Sequence, residues 1–198
     1  MFELPTSIYI DEEEYLIREQ GDFRMVLDCF SALQDEELPK KERIITSVTI
    51  FYDSLSLDNI FDVFDTQDKL ESAIMQMFDF FSCGQRDLGS RTNYKLVDWE
   101  QDNHLIAAAV NKVANTEIRS LPYLHWWTFM GYYISVGEST LSTVVSIRSK
   151  IVEGKKLEKY ESEFRKKNPS YFIWNRTTVE QREADALIFE LWNSDKKE

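Results

Sequence analysis

The residues best suited to catalysis or metal binding are Glu100, Asp102 and His104, two carboxylates and an imidazole close together in the sequence. A helix would place Glu100 and His104, four residues apart, on one face, where they could move a proton or hold a metal ion. Di-iron helical bundles, however, use two Glu-x-x-His motifs with further carboxylates, and this sequence has no such pair. We therefore predict no metal site and no cofactor, and keep a carboxylate site at these three residues as one hypothesis.

The sequence also lacks the motifs of common nucleophile and phosphate sites. Its glycines form neither a G-x-S-x-G turn nor a G-x-x-x-x-G-K-[ST] phosphate loop. The two cysteines, Cys29 and Cys83, stand far apart among apolar residues, which is typical of buried thiols rather than of a zinc cluster or a disulfide. These features predict that the protein is not an enzyme.

Composition and charge narrow the class of protein. Of the 198 residues, 43% are hydrophobic and 14% aromatic, which is enough for the core of one domain. The net charge of −12 argues against nucleic acid and against an anionic membrane surface as partners. No apolar run approaches the roughly 20 residues of a membrane helix, and the first residues, MFELPTSIYIDEEEYL, do not resemble a signal peptide. We expect a soluble intracellular protein.

The most unusual segment is aromatic. Six aromatic side chains fall within the eleven positions from Tyr123 to Tyr133. A helix from Leu121 to about Val136 would be apolar on more than one side, so it must be central in the core or also covered by a partner. Tyrosine and tryptophan are frequent in binding hot spots. Both interpretations stay open, and the candidate partner-binding residues are Tyr123, His125, Trp126, Trp127, Phe129, Met130, Tyr132 and Tyr133.

The rest of the chain is mainly helical after a short hairpin. Alternating apolar residues over 4–20 surround an acidic turn and predict two strands. Helical spacing predicts helices over 23–34, from Pro39 to about Tyr52, and over 66–82, the last with Leu70, Ala73, Ile74, Met77, Phe78 and Phe81 as its apolar face. Further helices are predicted over 98–117, 121–136, 138–154, 155–167 and 177–193.

These elements predict a mainly α fold, a helical bundle of about six to eight helices with a small N-terminal β-hairpin. The polar stretch Gln85–Thr92 is the best candidate linker. It would separate residues 1–84, the hairpin with acidic helices, from residues 93–198, the helical part that contains the aromatic segment. One continuous domain is the alternative.

Charge is distributed unevenly along the chain. Residues 1–102 carry 9 basic and 23 acidic side chains, a net charge of −14, and residues 103–198 carry 14 basic and 12 acidic ones, a net charge of +2. Eight cations and four carboxylates lie between Arg148 and Lys167. The interleaved glutamates favour a solvated helix over a nucleic-acid-binding face. These cations could instead contact the acidic half of a neighbouring copy.

Four segments of the sequence form a pattern: the aspartate-rich start Asp98 to Asp102, the small residues Leu105 to Val110, the run Pro122 to Trp127 with Phe129, and Ser146 to Arg148. Together they resemble the phage gene-product-fifteen proteins of siphophages that infect Gram-positive bacteria. The hairpin, Asp22-Phe23-Arg24 and Asp35-Glu36-Glu37-Leu38 also fit, so the resemblance covers most of residues 4–167. Two features depart from the family: the helix HLIAAAVNKVANTEI is less aromatic, and the tail after Asn168 has no match.

The resemblance implies a tail assembly chaperone. Such a protein would bind the tape-measure protein, keep it soluble and help to recruit the major tail-tube protein, while its copies associate with one another. It would act in the cytoplasm of the infected bacterial host or of a lysogen, and would be absent from the mature virion. The alternative is a structural head–tail or tail component of the virion.

Overall fold

Eight α-helices, three short 3-10 helices and one β-hairpin occur in the part of the chain that the structure describes, residues 3–85 and 95–174 of a computed structural model. The predicted mainly α fold with an N-terminal hairpin is confirmed. In chain order the elements are β1 (Ser7–Ile10), β2 (Glu13–Leu16), α1 (Phe23–Leu33), α2 (Lys40–Phe51), α3 (Ile60–Val63), α4 (Gln67–Phe81), α5 (Asn103–Ala114), α6 (Trp126–Ile134), α7 (Thr140–Val152) and α8 (Lys159–Lys167).

The described residues fall into two compact units. Unit 1 comprises those within Met1–Asn93 and Leu105–Gly137, and unit 2 comprises those within Tyr94–His104 and Glu138–Glu198. The predicted linker after Gln85 and the predicted helix over 177–193 lie outside the described residues, so a boundary at that linker stays a prediction. Within 3–85 and 95–174, no helix has the length and apolar character needed to cross a membrane.

The hairpin follows the predicted alternation. β1 and β2 are antiparallel, with Ile8 opposite Tyr15 and Ile10 opposite Glu13. Ile8 and Ile10 are both buried because alternate residues of a strand point to the same face. A hairpin of this size is marginal alone and must pack on another element. Here β1 packs on α4.

Helices α1, α2 and α4 begin within one residue of the predicted starts. The Asp22 carboxylate accepts the backbone N–H of Arg24 at 2.9 Å at the start of α1, and the Thr66 hydroxyl accepts that of Lys69 at 3.2 Å at the start of α4. Both are N-caps that satisfy a backbone group with no partner in the helix. Pro39 directly precedes α2, where its fixed φ suits a helix start.

The buried face of α4 differs from the prediction at Phe78. Ala73, Met77, Phe80 and Phe81 are buried, whereas Phe78 is 43% exposed. Helical spacing alone does not choose among the three phenylalanines at the end of α4. The structure turns Phe80 inward, where its ring centroid lies 5.3 Å from that of Phe51 on α2. The prediction that Phe78 belongs to the buried face is therefore wrong.

Two further helices begin later than predicted because the backbone before each of them adopts a non-helical conformation. α5 begins at Asn103 rather than Asp98, since the Asp98 carboxylate accepts the backbone N–H groups of Glu100 and Gln101 and holds them in a separate turn. α6 begins at Trp126 rather than at Leu121. Leu121 precedes a proline and is extended, with ψ of 136°.

The last described helix, α8, also starts later than the sequence suggests. It begins at Lys159 rather than Lys155. The backbone N–H of Glu158 donates to the Glu161 carboxylate at 2.8 Å and fixes the start of the helix there.

Candidate partner-binding site

The aromatic segment begins with His125, which caps α6. Its Nδ1 atom accepts the backbone N–H of Trp127 at 3.0 Å. Because Nδ1 accepts, the proton lies on Nε2, which donates to the backbone oxygen of Pro5 at 3.0 Å. Burial lowers the pKa of His125, while the bond to Pro5 and the charge of Asp22 act in the opposite direction. The neutral imidazole therefore ties the start of α6 to Pro5, two residues before the hairpin.

The residues just before α6 are held by the start of α1. The Asp22 carboxylate accepts the N–H of Leu124 at 2.8 Å, and the N–H of Phe23 donates to the Leu124 carbonyl at 2.9 Å. The Arg24 guanidinium makes two 3.0 Å bonds to Asp22 and one of 2.5 Å to the Leu121 carbonyl. Two of the segments that carry the family resemblance therefore contact each other directly.

Trp126 and Phe129 lie in the core of unit 1. Each side chain is only 1% exposed, and their ring centroids are 5.5 Å apart. Phe129 also stacks on Phe23 of α1 with a centroid distance of 4.8 Å. The Trp126 ring meets Phe30 of α1 at 5.7 Å. One face of α6 is thus the centre of an aromatic core, as the first of the two interpretations proposed.

The two tryptophans of α6 also satisfy the end of α4. The indole N–H of Trp126 donates to the carbonyl of Phe81 at 2.9 Å, and that of Trp127 donates to the carbonyl of Phe80 at 3.0 Å. The last carbonyls of a helix have no partner within it, so the indoles cap α4 while their rings pack on the core. Both tryptophans are therefore structural residues, whatever else Trp127 contacts.

The eight candidate partner-binding residues separate into a buried and an accessible group. His125, Trp126 and Phe129 are buried. Tyr123 is exposed and donates its hydroxyl to the Gln20 carbonyl at 3.0 Å. The half-buried members are Trp127, Met130, Tyr132 and Tyr133. Only the exposed and half-buried residues of this group are accessible to a partner. Ile134, at the end of α6, is also exposed, and the sequence analysis did not predict it as a contact.

Unit 1 displays further apolar side chains that sequence reasoning missed. Six of them fall two by two near acidic residues in the sequence, as the pairs Met75 with Phe78, Leu57 with Phe61, and Tyr9 with Leu16, while Leu4 and Val113 are exposed singly. Large apolar side chains exposed in pairs are candidates for contact with another molecule. The signal that could have found the first two pairs is their spacing of three or four residues beside aspartates.

The acidic surface of unit 1 is little offset by its own cations. Residues 3–85 contain 19 acidic and six basic side chains, and residues 105–137 of the same unit add one acidic and two basic ones. Arg18 donates to four backbone carbonyls at the end of α2 and beyond it, and Arg24 is bound to Asp22. Lys69 forms a 2.7 Å ion pair with Glu13, which raises the pKa of Lys69 and lowers that of Glu13. A partner of unit 1 therefore meets mostly carboxylates.

Unit 2 is organised around a buried arginine. The Arg148 guanidinium donates to both oxygens of Asp102, at 2.6 and 2.9 Å, and both side chains are buried. It also donates to the carbonyls of Leu96 and Tyr171, at 2.9 and 2.5 Å. Its Cζ atom lies 4.2 Å from the centre of the Trp174 ring. Arg148 thus joins α7 to the turn before α5 and to the segment after α8.

The hypothetical carboxylate site divides between these roles. Asp102 is taken up by the ion pair with Arg148, while Glu100 and His104 are exposed. The His104 ring lies 5.9 Å from that of Tyr171. Among the described residues, no group of three or more His, Cys, Asp or Glu is placed to hold a metal ion. The structure therefore gives Asp102 a structural role.

The cysteines are free thiols in unit 1. Cys29 is buried, as predicted, and Cys83 is only partly so. Burial raises the pKa of Cys29 to about 12 and that of Cys83 to about 11. Both side chains are therefore protonated at neutral pH, when a thiol is a weak nucleophile.

Fold and site together define a mainly α-helical protein with an acidic, aromatic unit and a second unit centred on an arginine. A family model described as Bacteriophage Gp15 protein matches residues 1–172. The chain belongs to this family and is a phage protein, which confirms the resemblance at that level. A search of curated proteins and a search of solved structures find no match.

Proposed function

We propose that the protein is a phage tail assembly chaperone. It binds the tape-measure protein, keeps it soluble, and helps the major tail-tube protein to assemble around it. It acts in the cytoplasm of the infected bacterial host or of a lysogen and leaves before the virion is complete. Membership of the Gp15 family supports a phage role, and the resemblance noted in the sequence supports tail assembly within it.

The observation that carries this proposal is the combination of exposed apolar pairs and negative charge in unit 1. A long helical client offers apolar stripes that aggregate unless they are covered. Side chains such as Met75, Phe78 and Tyr132 can cover part of a stripe by weak contacts, and many bound copies make the total binding strong. The 19 carboxylates of residues 3–85 then keep the coated client soluble by mutual repulsion.

We infer that self-association between copies uses opposite charges. Lys156, Lys159, Lys166 and Lys167 are exposed in unit 2. They can contact the carboxylates of unit 1 in a neighbouring copy, which is a head-to-tail arrangement that extends along a client. Because exposed charges are screened by salt, the mass measured by light scattering should fall as sodium chloride is raised. A mass that does not change with salt would contradict this contact.

A tagged chain in infected cells tests the proposal against the structural-component alternative. The tape-measure protein should co-purify from lysates taken during tail assembly, and mass spectrometry of finished particles should find the chain depleted relative to structural proteins. A chain present in particles at the stoichiometry of a structural protein would overturn the chaperone proposal in favour of a head–tail or tail component.

A further inference from the structure

The outer face of α4 presents two apolar side chains to solvent. Residues spaced three or four apart lie on one side of a helix. One side of α4 is exposed at every position. It forms a stripe that consists of Asp68, Glu71, Met75, Phe78 and Ser82. Met75 is 65% exposed and Phe78 is 43% exposed, at the centre of the stripe. The opposite side of the same helix packs on α2 and β1.

Phe78 is anchored rather than loose. Its ring contacts the ring of Phe81 edge-on, with centroids 5.9 Å apart, and Phe81 is itself buried. A partner side chain placed on Phe78 would therefore rest on a fixed aromatic surface that continues into the core. Met75 adds a flexible thioether, which adapts to side chains of different shape. Together they form an apolar centre suited to one or two aliphatic side chains of a helix.

Charge defines what kind of helix fits. Asp68, Glu71 and Asp79 surround the apolar centre on α4. Residues 3–85 as a whole are also negatively charged, because acidic side chains outnumber basic ones by 19 to six in that range. An acidic partner would be repelled, whereas lysine or arginine beside an apolar stripe would pair with these carboxylates.

We propose that this face of α4 binds a partner helix whose apolar stripe is flanked by lysine or arginine. The inference rests on the proposed function, because it assigns the client-binding surface of the chaperone. The mode is helix-on-helix packing, in which the partner's apolar side chains cover Met75 and Phe78. The acidic rim then steers the encounter and selects the orientation.

Two synthetic peptides test this surface with the purified full chain. They have the same length and the same leucine stripe, but one carries lysines and the other glutamates on its polar face. Fluorescence anisotropy should detect binding of the lysine peptide only. The double variant Met75→Ser, Phe78→Ser should weaken that binding at least about tenfold, because two apolar side chains no longer contribute to the contact. Glu71→Gln with Asp79→Asn should weaken it less and reduce its dependence on salt.

The control is Val152→Ser with Tyr160→Ser, two exposed apolar side chains of unit 2 that lie outside the exposed pairs of unit 1. It should bind the lysine peptide like the wild type, and circular dichroism should show both double variants folded, since the changed side chains are exposed. Equal binding of the two peptides, or no binding of either, would overturn the proposal. So would unchanged affinity of the α4 variant, or a variant that lowers only the mass of the chain's own oligomer.

These outcomes remain distinct from the fate of the proposed function. A chain that co-purifies with the tape-measure protein but ignores the lysine peptide keeps its chaperone role and loses this surface. A chain that binds the peptide through Met75 and Phe78 but not the tape-measure protein keeps the surface and loses the client.

Discussion

Arg148 and Asp102 form a bidentate ion pair with both side chains buried in unit 2. They belong to two different segments that carry the family resemblance, Ser146 to Arg148 and Asp98 to Asp102. A buried charge is costly unless it is paired and fully hydrogen-bonded, so the two segments depend on each other. The resemblance in this region therefore reflects a structural requirement of unit 2.

Removing either partner of this pair should destabilise the protein. Arg148→Met leaves the Asp102 carboxylate buried without its cation, and Asp102→Asn leaves the guanidinium without its counter-charge. Each should lower the free energy of unfolding by about 3–5 kcal/mol, and the double variant should cost less than the sum of the two. Urea denaturation measures these values. Arg119→Met, which breaks an exposed pair with Glu117, is the control and should change little.

If each single variant lowers the free energy of unfolding no more than the control does, the buried pair does not organise unit 2. A double variant as unstable as the sum would show that Arg148 acts mainly through its bonds to backbone carbonyls.

His125 should make the stability fall in mild acid. Burial holds its pKa in the folded state below the ordinary value of 6.5, so the unfolded chain binds the proton more readily. The neutral His125 side chain contributes fully to the free energy of unfolding above pH 6.5. This contribution is lost as the pH falls from that value through the lowered pKa, and the loss is about 1.4 kcal/mol for each unit by which folding lowers the pKa. His125→Asn keeps an N-cap acceptor but does not titrate, so its stability should change less between neutral and mildly acidic pH.

The control for this prediction is Thr66→Ala, which removes the N-cap of α4 without altering a titratable group and should lower the stability while keeping the pH slope of the wild type. Equal pH slopes for the wild type and His125→Asn, measured by urea denaturation across the same range, would contradict the assigned role of the buried imidazole.

Gly21 should not tolerate alanine. Its φ is 78°, and a β-carbon would lie 2.8 Å from the Phe80 ring and 3.0 Å from Nε2 of His125. Gly154 has a similar φ of 66° with no atom within 4 Å of the added carbon. Gly154→Ala should therefore cost about 1 kcal/mol from backbone strain, and Gly21→Ala should cost clearly more because of the clash. Thermal unfolding compares them, and equal costs would contradict the close approach.

The two sides of α6 should respond differently to truncation. Phe129→Ala should lower the free energy of unfolding by about 3–5 kcal/mol, since the side chain is buried against Phe23 and Trp126. Tyr132→Ala, at a half-buried position, should cost much less but weaken co-purification of a client. Urea denaturation and pull-down measure the two effects separately. A Tyr132→Ala variant that binds the client like the wild type would limit α6 to a structural role.

Local signals made much of the fold predictable. The alternation around Ile8 and Ile10 identified the hairpin, and apolar residues at helical spacing identified the two helices that Asp22 and Thr66 cap in the structure. Such features depend on residues a few positions apart. The mainly α class followed from the same spacing rules.

What could not be predicted depends on distant contacts. Arg148 lies in a basic tract that favours a solvated face, yet it is buried because Asp102 pairs with it from 46 positions away. His125 caps α6 and meets Pro5, 120 positions away. Phe78 and Phe80 could not be ranked from helical spacing, since Phe80 turns inward against residues from other elements, among them Phe51 and His125.

Co-expression tests most directly whether this protein keeps the tape-measure protein soluble. The tape-measure protein of the same phage is expressed alone, with the wild-type chain, and with the Met75→Ser, Phe78→Ser variant, and its soluble fraction is measured after centrifugation. The soluble fraction of the tape-measure protein should be low when it is expressed alone and high when it is expressed with the wild-type chain, with which it should co-purify. With the variant, the soluble fraction should be lower than with the wild-type chain. A soluble fraction that the wild-type chain does not raise, with no complex recovered, would contradict the proposed chaperone function.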